Sequence, residues 1–394
     1  MFSRHPGTDA DDPMVDNIIH TLLVTSNRMQ AIPAVGIGLF LWVMAAITYG
    51  IWSLGGDEGE AATAAGVFLL TAAGDWLSLW LLPRFKRSFG PERPPTLALA
   101  VVRLALTLPL GLIGAPVGLA ALPLAALSGV VLYSTWIAPF QLGVTYERLD
   151  TARLAADEKP LRVLHIGDLH LESITARERR LNALVHELAP DLIVFSGDFV
   201  NISYHDDPQT EAEIREIISA WQAPLGVYCV QGTYTVESKA RVQAFTEGLD
   251  NLRLLDDEWV PIETSTGMLY VLGMTTTHQL AADQTTVQRL AHEVPADAFK
   301  LIVTHAPDVI PEADAAGYDL YVCGHTHGGQ LRFPVVGAVF SGSALGMDYV
   351  MGRYDLDHLT AYTSRGVGME GMGAPRARFL CPPEIILWEI HGTA

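Results

Sequence analysis

The distribution of apolar and polar residues divides the chain near residue 140. Residues 31–53, "AIPAVGIGLFLWVMAAITYGIWS", carry no charge and are long enough to cross the ~30 Å hydrocarbon core of a bilayer. A second run at about 62–82 holds one acid, Asp75. A third and a fourth, at about 97–114 and 117–138, are separated by the turn-like "GAP" of 114–116, with Arg103 inside the third. A signal peptide would start nearer the N-terminus and end in a small-residue cleavage site, and buried helices of a soluble protein rarely supply four such runs in succession. The pattern predicts an N-terminal segment over 1–30 and a transmembrane domain of about four helices over 31–140. Nothing else polar accompanies Asp75 and Arg103 in the runs, so they are expected to be buried, snorkelling or mutually paired rather than part of a transport path.

After a linker over 141–159 the periodicity changes. Short β-rich apolar runs alternate with polar, helix-like stretches: "LRVLHIGDLH" (161–170), "ARERRLNALVHELAP", "DLIVFSGDF" (191–199), "EAEIREIISAW", "GVYCVQG" (226–232), "LYVLGM" (269–274), "LIVTHAP" (301–307) and "YDLYVCGHTH" (318–327). Strand, polar helix, strand predicts an α/β domain over 160–394. Four of the runs end directly in polar residues: Asp168 and His170, Asp198, His305, and His325 with His327. Ligands of open α/β sheets gather at the carboxyl ends of strands, so these six side chains are expected to converge at one sheet edge.

Two carboxylates and four imidazoles form a mixed oxygen and nitrogen donor set, which suits Mn, Fe or Zn better than Ca or Mg. Six donors exceed one tetrahedral site and suit two divalent ions bridged by a carboxylate. Singly, each residue has a plainer explanation, an aspartate after a strand being most often a turn or cap; the joint occurrence carries the reading. His165, inside a strand, reads as an ordinary polar side chain.

Charge narrows the partners. The chain has a net charge of −19, and residues 141–394 hold 35 of its 44 acids against 18 of its 25 basic residues. So acidic a domain repels phosphate backbones, which argues against nucleic acid as a partner. Three cysteines, Cys229, Cys323 and Cys381, give no paired framework and fit a reducing compartment. The loop between the first two apolar runs, "GGDEGEAA", is acidic, whereas "RFKRSFGPERPP" between the second and third carries Arg84, Lys86, Arg87 and Arg93. The positive-inside rule places the second loop in the cytoplasm; with four spans the α/β domain is cytoplasmic on a multi-pass inner-membrane protein, and with three it lies outside.

The blocks "GDLH", "SGDF", "VTHAPD" and "GHTHGGQ" resemble those of the calcineurin-like metallophosphoesterases. "RFPVVGAVF", "YVMGRYDL", "TSRGVGMEG" and "CPPEIILWEI" resemble the bacterial membrane-anchored branch. The resemblance covers about 160–391. It implies an α/β fold, a calcineurin-like two-sheet sandwich with flanking helices, preceded here by the N-terminal helical transmembrane domain. It implies that Asp168 and His170 bind a first metal, that Asp198 bridges, that His305 and His325 bind a second, and that His327 returns to the first. Gly328 and Gly329 would keep the backbone slim where substrate approaches, and strand alternation would fan His325 and His327 apart. The implied activity is hydrolysis of a phosphoester or pyrophosphate bond by a hydroxide that two metals activate, on a phosphorylated substrate that is lipid-linked in some relatives.

One block departs from the family. Where relatives read Gly-Asn-His, this chain reads Gly232, Thr233, Tyr234. Thr233 offers a weak neutral ligand and Tyr234 a hydrogen-bonding phenol, so both are candidate catalytic residues; Asn201, His205 and His278 are candidate replacements. The departure leaves a catalytically weak, metal-binding regulatory relative as the alternative function. A transporter with an accessory domain is disfavoured by the few ionisable groups in the spans. Arg332, Arg365, Arg376 and Arg378 are candidates for a basic substrate patch, unless they pair with surplus acids.

Overall fold

The structure, a computed structural model, describes residues 25–55 and 57–393. The expected segment 1–30 therefore lies outside the described residues apart from 25–30. The chain forms two compact units. One is helical and takes in the described residues up to Ala138 together with Gly371–Phe379; the other comprises Pro139–Glu370 and the chain from Leu380 onward.

The helical unit is built from Ala34–Gly55 (α1), Glu58–Leu81 (α2), Arg93–Leu112 (α3) and Val117–Leu132 (α4). All four are long and apolar enough to cross a membrane, the last when taken through to Phe140. Asp57 caps α2 by accepting from the backbone N–H of Glu60 at 2.8 Å, and α3 opens on prolines, which cost nothing in a first helical turn. Small residues (Ala45, Ala61, Ala64, Ala72, Ala100) are buried, while Val35, Leu54, Leu70 and Leu122 are exposed. That inversion of the usual soluble pattern suits helices that meet closely inside and face hydrocarbon outside. Asp75 and Arg103 are both buried and paired. Arg103 Nε donates to Asp75 Oδ2 at 3.1 Å, its Nη2 to Ser128 Oγ at 2.6 Å and its Nη1 to the Leu124 carbonyl at 2.8 Å, while Ser128 Oγ donates to Asp75 Oδ1 at 2.9 Å.

Among the described residues the second unit contains fourteen strands. In chain order they are Gly143–Thr151 (β1), Leu161–Ile166 (β2), Leu192–Phe195 (β3), Val227–Cys229 (β4), Leu252–Leu254 (β5), Glu258–Thr264 (β6), Gly267–Met274 (β7), Phe299–Thr304 (β8), Leu320–Cys323 (β9), a small hairpin of Arg332–Phe333 (β10) and Gly337–Ala338 (β11), then Gly352–Asp355 (β12), Thr360–Thr363 (β13) and Glu384–Gly392 (β14). One sheet runs β1-β14-β2-β3-β4-β5 and the other β12-β13-β9-β8-β7-β6. Within each, the central strands are parallel: β2 to β5 in the first, and β7, β8, β9 and β13 in the second.

Period-2 alternation sorts the apolar residues of these strands onto two faces. Leu192 and Val194 of β3, Leu301 and Val303 of β8, and Leu320 and Val322 of β9 meet in one cluster between the sheets. Their neighbours face outward to helices. Ile193 and Phe195 pack in the cluster with Leu181 of Ala176–Leu188 (α5) and Ile214 of Pro208–Ser219 (α6). After the short helix Lys239–Thr246 (α7), the second sheet is covered by Leu280–His292 (α8) and Ile310–Ala315 (α9), where Ile302 and Tyr321 pack with Val287 and Ile310. Burial on both faces is why these runs are apolar throughout.

Two expected boundaries change. The span read as a linker, 141–159, contains β1, which pairs in parallel with β14 from Gly143 opposite Glu384 to Thr151 opposite Gly392. Its sequence, "GVTYERLDT", is charged because it is a half-exposed edge strand. Residues 371–379, expected in the α/β domain, cluster with the helical unit instead.

Candidate metal centre

Each predicted ligand lies just beyond a strand end. Asp168 and His170 follow β2, Asp198 follows β3, His305 follows β8, and His325 and His327 follow β9. Parallel neighbours put these ends on one edge, and the six side chains converge there as two triads. In Asp168, His170 and His327, and again in Asp198, His305 and His325, one donor atom from each residue lies within 4.8 Å of the others. Asp198 joins the triads: its Oδ2 is 3.2 Å from His170 Nε2 and 3.2 Å from His305 Nε2.

The imidazoles are oriented by their outer nitrogens. His305 Nδ1 faces the Ser196 carbonyl at 2.9 Å, His325 Nε2 faces the Gly342 carbonyl at 3.1 Å, and His170 Nδ1 lies 3.2 Å from Glu370 Oε2. A carbonyl or carboxylate takes a proton from the nitrogen it faces, which leaves the opposite nitrogen a lone pair. Those lone pairs, on His305 Nε2, His325 Nδ1 and His170 Nε2, point at the other donors: His305 Nε2 is 3.0 Å from His325 Nδ1, and His170 Nε2 is 2.9 Å from His327 Nε2. His305 Nε2 and His325 Nδ1 are thus two lone pairs facing each other across 3.0 Å with no proton between them. Asp168 Oδ2, buried and without a hydrogen-bond partner among the described residues, adds another. These residues fit divalent cations.

Charge on the cluster is distributed unevenly. Burial pushes the Asp168 carboxyl up to about 6. Burial also opposes charge on Asp198, yet His305 and His170 outweigh it and hold that carboxyl well below the usual range. Against their own burial, Asp198 lifts His305 to about 9 and His170 well above an ordinary histidine. His325, buried beside His305, drops to about 3. Protons alone balance two carboxylates and four imidazoles here only by forcing such extremes, and divalent cations satisfy the same donors without them.

Five of the six ligands, Asp168, His170, Asp198, His325 and His327, have φ between 40° and 70°. Non-glycine residues rarely adopt this left-handed region, and it concentrates at functional sites. It also corrects the expected geometry of the last motif. β9 ends at Cys323, and His325 and His327 diverge through left-handed turns rather than strand alternation. Gly328 and Gly329 have φ of 60° and 81°, and a Cβ there would meet Cys381 Sγ at 2.8 Å and Ala338 Cβ at 2.5 Å. Their smallness serves the turn and its packing.

Thr233 lies at the second triad. Its N–H donates to Asp198 Oδ1 at 2.7 Å, and its Oγ1 is 3.2 Å from His305 Nε2 and 3.4 Å from Asp198 Oδ2. Tyr234 turns its ring toward His278, centroid to centroid 6.4 Å. Of the candidate replacements, Asn201 spends its side chain on the Met369 carbonyl and the Ser203 N–H, and His205 on the Ile202 carbonyl and Asp206. His278 remains, its ring centroid 5.0 Å from that of His325. The expected basic patch does not form as such. Arg365 is bound to Glu384, Arg332 donates to the Gly328 carbonyl, and Arg376 and Arg378 are buried.

Two acids, one half-buried and one buried, escaped the sequence reading. Glu370 backs His170. Glu237 accepts from Val200 N at 2.8 Å and Gly232 N at 3.3 Å, tying together the loops that carry Asp198 and Thr233; burial and the neighbouring Asp198 raise its carboxyl to about 8. "TVESK" reads as a solvated helix start, and no local signal marks Glu237 as buried.

A two-sheet α/β sandwich with paired Asp/His triads at its strand ends defines a metal-dependent hydrolase of phosphate esters or anhydrides. Residues 161–329 match the calcineurin-like phosphoesterase family, and relatives of this chain are named metallophosphoesterases. Among its relatives, the uncharacterized metallophosphoesterase YkuE of Bacillus subtilis is 26% identical over 66% of this chain and 90% of its own length. The phosphodiesterase YaeI of Escherichia coli is 26% identical over 59% of this chain and 82% of its own. The UDP-2,3-diacylglucosamine pyrophosphatase LpxG of Chlamydia trachomatis is 24% identical over 69% of this chain and 97% of its own. Members of this family use divalent metals, and the two triads give this chain a place for each of two.

Proposed function

We propose that the chain is a membrane-anchored phosphohydrolase whose two metal ions, Mn, Fe or Zn, are held by Asp168, His170 and His327 on one side and His305 and His325 on the other, with Asp198 shared. The observation that carries this is the position of Asp198 Oδ2, equidistant from His170 and His305. When bound, paired divalent cations lower the pKa of water and neutralise phosphoryl charge. The chain's own residues do the rest. Ser196, Gly342 and Glu370 fix the imidazole orientations, Glu237 holds the Asp198 and Thr233 loops in register, and Thr233 presents its hydroxyl beside His305 where relatives have an amide.

The substrate reading is a phosphodiester or pyrophosphate on a lipid-linked molecule. Four helices able to cross a membrane support it, as does the pyrophosphatase activity named for the chlamydial relative. The acidic first loop and basic second loop, with an even number of helices, support a cytoplasmic α/β unit in the inner membrane. The alternative, a weakly catalytic binding relative, rests on Thr233 and Tyr234 standing where Asn and His are usual.

The test is elemental analysis and turnover of the purified full chain. Wild type is expected to carry up to two transition-metal ions and to hydrolyse bis(4-nitrophenyl) phosphate or UDP-2,3-diacylglucosamine with added Mn²⁺. Asp198→Ala should lower occupancy at both positions and reduce turnover by at least about 10²-fold. Full two-metal occupancy in that variant would refute the shared-carboxylate assignment. Two-metal wild type without turnover on either substrate would favour the binding role.

A further inference from the structure

The hydrolase reading leaves one gap, since Tyr234 occupies the place of an imidazole. We propose that His278 supplies it, donating a hydrogen bond from Nε2 to the leaving oxygen of the phosphoryl substrate; this rests on the hydrolase reading above. His278 follows β7, a strand parallel to β8, so it emerges on the same edge as His305 and His325. Its φ of 59° is the left-handed conformation shared by five of the ligands. The ring is 8% exposed and lies between His325 and Tyr234, at centroid distances of 5.0 and 6.4 Å.

The surroundings are built to hold the ring. Asp308 Oδ2 lies 3.8 Å from Nδ1, and Asp308 is itself fixed through Oδ1 by Ser343 Oγ at 2.7 Å and Ala344 N at 2.9 Å. The preceding Thr277 is pinned to Asp283 through both its N–H and its hydroxyl, and Thr276 to Thr304. At 3.8 Å the Asp308 carboxylate lies beside the ring but beyond hydrogen-bond reach of Nδ1, so it does not draw the single imidazole proton there, and Nε2 is free to carry it. The opposite nitrogen, Nε2, is buried and without a hydrogen-bond partner among the described residues. Buried polar atoms are almost always satisfied, so an exception beside a reaction centre marks a group awaiting a ligand. The outer nitrogens of His305 and His325 face a carbonyl, and His170 Nδ1, though without a formal hydrogen bond, has the Glu370 carboxylate at 3.2 Å; no such group is found against His278 Nε2 among the described residues.

A donor at the leaving oxygen acts most strongly where that oxygen gathers most charge as the P–O bond lengthens. The loss on removing it therefore depends on the leaving group. With the full chain in detergent and Mn²⁺, His278→Gln should lower kcat on diphenyl phosphate by about 10²-fold and on bis(4-nitrophenyl) phosphate by less than about 10-fold. Metal content and thermal midpoint should match wild type. Adding Tyr234→His to His278→Gln should restore at least about tenfold on the phenyl ester. Equal losses on the two esters, or none, would overturn the inference. If wild type hydrolyses neither ester, the hydrolase reading falls, and the His278 assignment is then decided by titrating inorganic phosphate into the manganese-loaded protein. Weaker binding by His278→Gln would support it and unchanged affinity would overturn it.

Discussion

His165 lies on β2 with its ring fully buried and Nε2 3.0 Å from Ser196 Oγ, in keeping with its reading as a polar strand residue. Burial drives its pKa down to about 3. The unfolded chain takes up a proton near an ordinary histidine pKa that the folded chain refuses. The contribution is therefore fully present above about pH 6.5 and is lost as pH falls toward 3, at about 1.4 kcal/mol per pH unit. His165→Gln cannot be protonated, so its thermal midpoint should fall less than that of wild type between pH 7 and pH 5; parallel falls would exclude His165 as the source. The six clustered donors were legible because each combined a strand end with a polar terminus. Glu370, Glu237 and Asp308 were not, because their roles exist only once distant loops meet. "GTYT" was legible as a departure and His278 as one candidate replacement, but not the choice among the three: nothing in "TTTHQL" separates His278 from a surface loop histidine.

Among the elements, the central strands β2, β3, β4, β7, β8 and β9 could be read directly, since burial on both faces makes them mostly apolar runs. The edge strands were harder. β1 alternates charge with partial exposure, and β5 and β12 are too short to carry a period. The helical runs were plain from composition, but which option Asp75 and Arg103 took required the packing of α2, α3 and α4. A buried pair of this kind is costly to break and cheap to replace. Arg103→Leu alone strands a carboxylate and should destabilise the helical unit by about 3–5 kcal/mol. Asp75→Leu with Arg103→Leu should recover most of that, as read by thermal unfolding in detergent. A double variant no better than the single one would show that the contacts to Ser128 and Leu124 carry the stability.

For the whole molecule, if the four helices cross a bilayer, sidedness has the largest functional reach, because it then decides which leaflet and which pool of phosphorylated molecules the centre meets. A cytoplasmic α/β unit should survive protease added to sealed right-side-out cells and be digested once the cells are opened. Digestion in sealed cells would place it on the other side and imply an odd number of crossings.

The pairing of Gly371–Phe379 with the helices bears on how this enzyme can be handled at the bench. Within the helical unit Arg378 N donates to the Ser134 carbonyl at 2.8 Å, and Phe379 sets its ring edge-on to Tyr133 at 6.3 Å. Among the described residues the polypeptide therefore passes between the two units three times: ahead of Pro139, after Glu370 and ahead of Leu380. A detergent-free fragment begun at Pro139 keeps a tongue whose partners have been cut away, with an aromatic ring and two previously buried arginines set loose in water. Such a fragment calls for excision of the tongue and a short hydrophilic bridge in its place, joined so that Glu370 stays against His170. A truncation chosen from the N-terminal helices alone would yield material prone to aggregate, and its low activity would be misread as a property of the catalyst.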